Sequence, residues 1–350
     1  MEHILVLRFS ALGDVLMTLP VVESFARQHP DVRVSVCSRA WAKPLFDLLP
    51  PNVTFVTADL KGVHHGWKGL NLLARRLLAL QPTMVADLHD VLRTKYLRTR
   101  FRLAGRKVCK INKNRRSRAR FIQAEVKTPQ TPVFEKYTDV FRRLGFRDWD
   151  VDFHGLFPEG TADLAQRLPD FNPALRPEPN WVAIAPFATH EGKIYPLDLM
   201  EQVVQQLAAR GDVRLFLFGA GANERQVLEA WAAKYGHTES MAGRLANMAE
   251  EAALISHCSV MLSMDSANMH LASLVGVPVV SIWGATHSLG GFMGYGQQQA
   301  DAIQRSDLPC RPCSIYGKTP CQFGDYRCLR GIEPGTVVAH VVRKFSNEAS

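Results

Sequence analysis

Four short segments combine residue types that could do chemistry. The first is Ser10-Ala11-Leu12-Gly13-Asp14, between an apolar run and a helical pattern. Gly13 permits a sharp turn, which puts Asp14 at the start of the helix. A carboxylate there reads either as a helix cap or as a general base that takes a proton in a closed site. The second is Ser263-Met264-Asp265-Ser266-Ala267-Asn268-Met269-His270. Its capping residues open a helix whose first-turn amides suit a phosphate or pyrophosphate. The plain alternative is a cap followed by a core histidine. The third, Pro186-Phe187-Ala188-Thr189-His190-Glu191-Gly192-Lys193, places a hydroxyl and a cation just past a strand. That pair suits a diphosphate, and a solvated loop lysine is the alternative. The fourth, Phe218-Gly219-Ala220-Gly221-Ala222-Asn223-Glu224, has G-x-G but no third glycine in register, so it is a weak dinucleotide signal.

The surrounding pattern says what must hold these segments. Apolar runs rich in β-formers at 3–8, 32–37, 53–56 and 83–87 alternate with helical periodicity, as at 70–80. Near-continuous apolar strands separated by helices predict a parallel sheet covered on both faces. Residues 158–180 hold five prolines and read as a linker. The alternation then restarts, with strands at 181–185, 213–218, 259–263 and 277–283 and helices at 197–210, 223–235, 248–257 and 266–275. The expectation is an α/β protein of two doubly wound units: 1–157, a linker at 158–180, 181–335, and a C-terminal helix or tail at 336–350. Such units bind ligands at the carboxyl ends of their strands, so a cleft between the two is the expected site. No close internal repeat is visible.

Composition narrows the class. Of the 350 residues, 47% are hydrophobic and 21% charged, which is ordinary globular usage. The N-terminal MEHILVLRFS does not read as a secretory signal. No Asp, Glu, Lys or Arg occurs from 266 to 300, yet the continuous apolar part spans only 271–283 and contains Gly276 and Pro278. A spanning helix needs about 20 apolar residues, so a buried helix, turn and strand are expected there. The net charge is +9, and residues 91–120 hold thirteen Lys and Arg with no acid. The rest of the chain is therefore net acidic. A patch of this kind meets phosphates or carboxylates on nucleic acid, anionic lipid or an acidic substrate; a solvated helix and loop face is the bland alternative. Seven cysteines, without a signal peptide, read as reduced thiols. Cys310, Cys313, Cys321 and Cys328 include a C-x2-C. They leave three readings open: zinc, a disulfide, or free thiols.

Taken together, the motifs resemble glycosyltransferase family 9, the ADP-heptose:lipopolysaccharide heptosyltransferases. The resemblance rests on LRFSALGDVLMTLPVV from Leu7, Lys193 after PFATHEG, AGRLANMAE at 242–250, and SMDSANMHLASLVGVPVVSIWGAT from Ser263, in the right order and spacing. It implies a GT-B fold, with the acceptor on the first domain and the nucleotide sugar on the second. It also implies metal-independent inversion at the anomeric carbon, with no cofactor. By resemblance, Asp14 is the catalytic aspartate and Lys193 the diphosphate-binding lysine. Glu224 matches the ribose-binding acid and Met241 the adenine contact. Asp265, Ser266, Asn268 and His270 match the phosphate-binding helix start. Thr189 stands where a donor-binding hydroxyl is expected, and Ala267 replaces the usual small glycine.

The leading expectation is therefore an enzyme that moves heptose from ADP-heptose to a Kdo-lipid A type acceptor in the lipopolysaccharide inner core. It would be cytoplasmic and touch the inner membrane peripherally. Arg93, Arg98, Arg115, Arg116, Arg118 and Arg120 would meet the acidic, lipid-linked acceptor from the first domain. A same-family enzyme with another sugar nucleotide or acceptor is the alternative. A nucleic-acid-binding protein is disfavoured, because the basic segment has few aromatics to stack bases. Oligomeric state is not legible.

Overall fold

The structure, a computed structural model, describes residues 2–345. The chain forms two compact units. The first runs through Asn114 and takes in Thr131–Leu156; the second comprises Arg115–Gln130 and the described chain from Phe157 on.

The first unit is built on a parallel sheet ordered β3-β2-β1-β4-β5. Its strands are β1 His3–Leu7, β2 Arg33–Ser38, β3 Val53–Thr57, β4 Met84–Asp87 and β5 Lys107–Lys110. The central strand β1, HILVL, is buried along its whole length, as a strand covered on both faces must be. Leu7 pairs with Cys37 on one side and with Asp87 on the other, so the carboxyl ends of three strands lie level. The helix Val133–Leu144 buries Val133, Tyr137, Val140, Phe141 and Leu144, the i, i+4, i+7 spacing of one apolar face. It stops at Gly145, whose φ of 128° favours glycine. Phe141 packs on Phe25 at 4.8 Å, and Trp149 closes the same cluster at 5.2 Å. This locks the helix against Leu19–Gln28, which carries Phe25.

The second unit carries a parallel sheet ordered β11-β10-β9-β6-β7-β8. The strands are β6 Asn180–Ala185, β7 Val213–Leu217, β8 Thr238–Ser240, β9 Val260–Met264, β10 Val279–Ile282 and β11 Ala302–Ile303. The charge-poor stretch after Asp265 is a short helix, Ala267–Ser273, followed by the fully buried β10. No helix among the described residues is long and apolar enough to cross a membrane. The helix Pro334–Val342 packs on Leu197–Ala208. The part of the expected tail beyond 345 lies outside the described residues.

Three expectations need correction. First, 158–180 is not a free linker. Leu164, Leu168 and Phe171 are buried. Phe171 meets Trp181 and Phe216 edge-on or tilted, and the Ala162 amide donates to Ser256 Oγ at 3.0 Å. These few apolar side chains fasten the proline-rich stretch to the second unit.

Second, the basic segment does not belong wholly to the first unit. The helix Arg115–Gln123 sits in the second. Phe121 packs edge-on against His287 at 5.8 Å, and the Gln130 amide donates to the Leu289 carbonyl at 2.8 Å. Arg118 is buried there. It donates to the Tyr316 hydroxyl and lies over the rings of Phe292 and Tyr316, so it anchors the helix and is not open to an acceptor.

Third, Arg98 is buried in the first unit. It donates to Asp87 and Asp90, each at 2.8 Å. It turns inward, while Arg102 one turn later is exposed, so the two share no open face. Asp87 also accepts from the amides of His89 and Asp90 at 2.9 and 3.0 Å. This network shapes the turn after β4.

Arg98→Met should therefore leave a fully buried carboxylate without its cation. Removing one partner of such a pair costs about 3–5 kcal/mol. Urea unfolding of parent and variant measures it, and a loss below about 1 kcal/mol would show that the network does not support the turn.

Candidate active site

In each sheet two neighbouring strands mark the point where the strand order reverses, and ligands of open α/β sheets bind outside such points. In the first unit these strands are β1 and β4; in the second they are β6 and β9. Asp14, Lys193 and Asp265 fall on the segments that leave β1, β6 and β9.

After β1 the chain turns through Phe9 and Ser10 into the helix Leu12–Leu16, which carries Asp14. The Asp14 carboxylate forms an ion pair with the guanidinium of Arg8, a residue that is itself buried. Arg8 also donates to the Leu88 carbonyl at 2.6 Å and lies 5.8 Å from the centre of the Tyr137 ring. The Tyr137 hydroxyl donates to the Asp14 carbonyl at 3.1 Å. Side chain and backbone of Asp14 are thus both fixed. From β4 comes His89, buried beside Phe9, with Nε2 at 3.4 Å from Ser10 Oγ. Its Nδ1 is buried and makes no hydrogen bond. Burial, together with Arg8, Lys113 and Arg93, drops the imidazole to about 3. At neutral pH His89 is an uncharged imidazole among cations. Sequence reasoning missed Arg8 and His89; Arg8 stands inside the motif from Leu7, while His89 follows a strand to which no chemistry was assigned.

In the second unit the loop after β6 delivers Lys193, whose Nζ pairs with Asp265 at 2.8 Å. Asp265 follows β9 and also accepts from the Thr286 hydroxyl at 2.8 Å. One carboxylate therefore aligns the lysine, and a lysine ammonium has three donors. Gly317, at φ 74°, lies against the lysine stem; a Cβ there would meet Lys193 Cγ and Cδ at 2.6 Å. A Cβ at Gly192 would meet Ala285 Cβ at 2.8 Å, and the Ala285 amide donates to the Gly192 carbonyl at 2.7 Å. Buried Arg311 braces this corner from behind, donating to the carbonyls of Gly284, Trp283 and Thr286 at 2.6, 2.9 and 2.8 Å. His190 is pulled below its ordinary value by burial and then by the charges of Lys193 and Lys318. In the sequence, the segment from 310 to 328 stands out only for its cysteines. Its role as a wall of the Lys193 site depends on Gly317 and Arg311, which no spacing pattern singles out.

A family model for glycosyltransferase family 9 (heptosyltransferase) matches residues 71–322. The chain belongs to that family. Lipopolysaccharide heptosyltransferase 3 of Escherichia coli (strain K12) is 25% identical over 286 residues, covering 78% of this chain and 80% of that one. A family 9 glycosyl transferase from Veillonella parvula superposes with a TM-score of 0.73 at 18% identity, covering 99% and 98% of the two chains. The E. coli ADP-heptose lps heptosyltransferase II gives 0.71 at 16% identity, with both chains covered in full. The fold is the GT-B class of two doubly wound α/β units, and the protein is a glycosyltransferase.

The other expected site residues of this family 9 transferase have definite places. Thr189 is exposed on the Lys193 loop. Ser266 stands at the N-terminal boundary of the Ala267–Ser273 helix, its Oγ turned to Ser263 Oγ at 3.1 Å and not to a helix amide; Ala267 and Asn268 are half-buried and His270 is buried. Met241 is buried just past β8. Glu224 holds its own loop, accepting from the Ala220 amide at 2.7 Å. Arg93 lies exposed in the first unit, and Arg115, Arg116 and Arg120 in the second. All seven cysteines are unpaired, and no three His, Cys, Asp or Glu among the described residues are grouped to hold a metal.

The depressed value of His89 has a consequence for stability. An unfolded chain binds its proton near pH 6.5 and the folded one only near 3, so this group's contribution is complete above about pH 6.5 and is lost as pH falls toward 3. His89→Gln should narrow the drop in melting temperature between about pH 7 and pH 5. Equal drops in parent and variant would show that His89 does not carry the acid sensitivity.

Proposed function

We propose that this glycosyltransferase moves a heptose from ADP-heptose to a Kdo-lipid A type acceptor of the lipopolysaccharide inner core, with inversion and without a metal. It acts from the cytoplasm. The observation that carries this reading is the pair of strand-end corners: an oriented carboxylate, Asp14 held by Arg8, in one unit, and an oriented ammonium, Lys193 held by Asp265, in the other. The names of the E. coli relatives, which mention heptose, ADP-heptose and lipopolysaccharide, support the donor and the lipopolysaccharide acceptor; the Kdo-lipid A inner core is the family expectation.

In this mechanism the acceptor oxygen bonds to the anomeric carbon as the bond from that carbon to the diphosphate breaks. The hydroxyl proton passes to Asp14, and ADP leaves. A base on the acceptor side speeds such a step by about two to four orders of magnitude. The leaving diphosphate gains charge, which Lys193 meets. Preorganised cations in a partly dry corner are strong electrostatic partners for developing charge. Asp265 acts by aiming Lys193. By family resemblance Met241 would contact adenine and Glu224 a ribose hydroxyl, the latter beside the Ala220 amide it already accepts from. Arg93 meets acceptor anions from the first unit. Arg115, Arg116 and Arg120 do so from the second, a reassignment that follows from where their helix packs.

Two variants test the division of labour, after a panel of ADP-, UDP- and GDP-sugars has identified the donor. Asp14→Asn should cut turnover by about two to four orders of magnitude and leave ADP inhibition within about twofold. Lys193→Ala should weaken ADP inhibition by about 1.5–3 kcal/mol, the range for a charge-assisted hydrogen bond. Near-normal turnover in the first variant would reduce Asp14 to a helix cap; an unchanged ADP constant in the second would place Lys193 outside the donor site.

Turnover should also persist in EDTA, because Lys193 and not a divalent ion meets the diphosphate. Activity lost to the chelator and restored by Mg²⁺ would overturn the metal-independent mechanism.

A further inference from the structure

The helix Leu92–Leu103 buries Thr94, Leu97, Arg98 and Phe101 against the first unit. At about 100° per residue, its opposite face is Leu92, Tyr96, Thr99 and Leu103, the i, i+4, i+7, i+11 stripe. Leu92 is 71% exposed and Leu103 81%, among the most exposed large apolar side chains described. Tyr96, in the middle of the stripe, is half-buried against the neighbouring helix, while the leucines at its two ends stay open to solvent. Cations flank the stripe on both sides. Lys95 and Arg102 are exposed along one edge and Arg93 along the other. Arg100 stands on that second edge, tied to Asn71 Oδ1 at 2.5 Å and to the Tyr96 hydroxyl at 3.2 Å.

The neighbouring helix Gly66–Ala79 extends the surface. Its Trp67 is 63% exposed and meets the Tyr96 ring edge-on at 5.4 Å. Neither helix contains an acidic residue. The surface therefore presents apolar and amphipathic side chains in the middle and positive charge around them.

We infer that this face docks on an anionic lipid bilayer, with Leu92, Leu103 and Trp67 entering the interface and the flanking cations meeting phosphates. Helices that lie in the membrane plane combine an apolar stripe with a Lys/Arg-rich border. Trp and Tyr settle at the headgroup level, and long cationic side chains extend from an apolar stem to a charged surface. Each cation near such a surface adds attraction that falls off within a Debye length. A second copy of the chain is a poor match, because face-to-face packing would oppose like-charged borders. A nucleic acid is a poor match too, because it has no use for two exposed leucines. The inference deepens the reading of a lipid-borne acceptor and assigns the docking role to the stripe and its border, not to the basic segment as a whole.

The test uses the full chain and vesicles that contain no acceptor. Phosphatidylcholine vesicles are compared with ones carrying about one third phosphatidylglycerol, by co-sedimentation at low and physiological salt. The parent should pellet with the anionic vesicles and hardly at all with the neutral ones. Leu92→Ser/Leu103→Ser should cut that binding at least about fivefold, at unchanged melting temperature, because both positions are exposed. Lys95→Gln/Arg102→Gln should cut it at low salt and make the remainder less salt-sensitive. Trp67→Phe should remove most of the blue shift in tryptophan emission on binding. Binding that no substitution alters, or none to either vesicle, would overturn the inference. So would an oligomer in sedimentation velocity that Leu92→Ser/Leu103→Ser dissolves, which would give the face to a second copy. Nucleotide-sugar hydrolysis by the same variants should match the parent, so a failure of the docking role stays distinct from a failure of the proposed reaction.

Discussion

A parallel sheet cannot be closed by hairpins. Every strand must be followed by a crossover, and the crossovers keep one hand. When the strand order reverses, two adjacent strands send their chains to opposite faces and a gap opens outside their carboxyl ends. Both sheets of this protein have one such point, between β1 and β4 and between β6 and β9. The ion pairs described above sit on the loops that leave those four strands. Ser10 and His89, whose side chains lie 3.4 Å apart, are 79 positions apart in sequence, and Lys193 and Asp265 are separated almost as widely. What joins each pair is the level register of two neighbouring strands, Leu7 with Asp87 and Ala185 with Ser263.

Holding these groups has an electrostatic cost, and the fold meets it with charges of opposite sign. Arg8 is buried against Asp14, Arg98 against Asp87 and Asp90, and Lys193 against Asp265. Replacing a pair of this kind by apolar side chains is often neutral or stabilising, so stability alone does not account for all three. Their value here is direction: each fixes the aim of a group at a strand end. The Arg98 network shapes the turn that presents His89. Arg311 does comparable work without a carboxylate, by filling three carbonyls behind the Lys193 loop.

Much of this was readable from residues alone. The long apolar strands and the loops carrying Asp14, Lys193 and Asp265 stand where periodicity and turn residues place them. Three of the four edge strands did not show: KVCK, TES and AI are too short or too polar to announce a pleated, buried surface. Charge counting failed for a different reason. It treats every arginine in 91–120 as equivalent, yet Arg98 finds buried carboxylates and Arg118 finds Tyr316, nearly 200 positions away. The inward turn of Arg98 was half visible, because it shares a helix face with Leu97 and Phe101. The partner of Arg118 was not visible at all, because no local pattern links a basic helix to an aromatic ring in a distant loop.

The path of residues 115–130 has a consequence for how this chain can be cut and recombined. The polypeptide passes from the first unit to the second at Asn114, returns after Gln130, and crosses again after Leu156. Neither unit is therefore a single continuous stretch. A fragment ending at 156 would carry the Arg115–Gln123 helix without the Phe292 and Tyr316 rings that shield Arg118, leaving an apolar and basic surface bare. A fragment starting at 157 would lack that helix altogether. Exchange of halves between related transferases would have to move 115–130 together with the C-terminal half, through three junctions. Evolution by swapping acceptor and donor halves is correspondingly constrained. During synthesis, the basic helix emerges from the ribosome long before the rings that hold it.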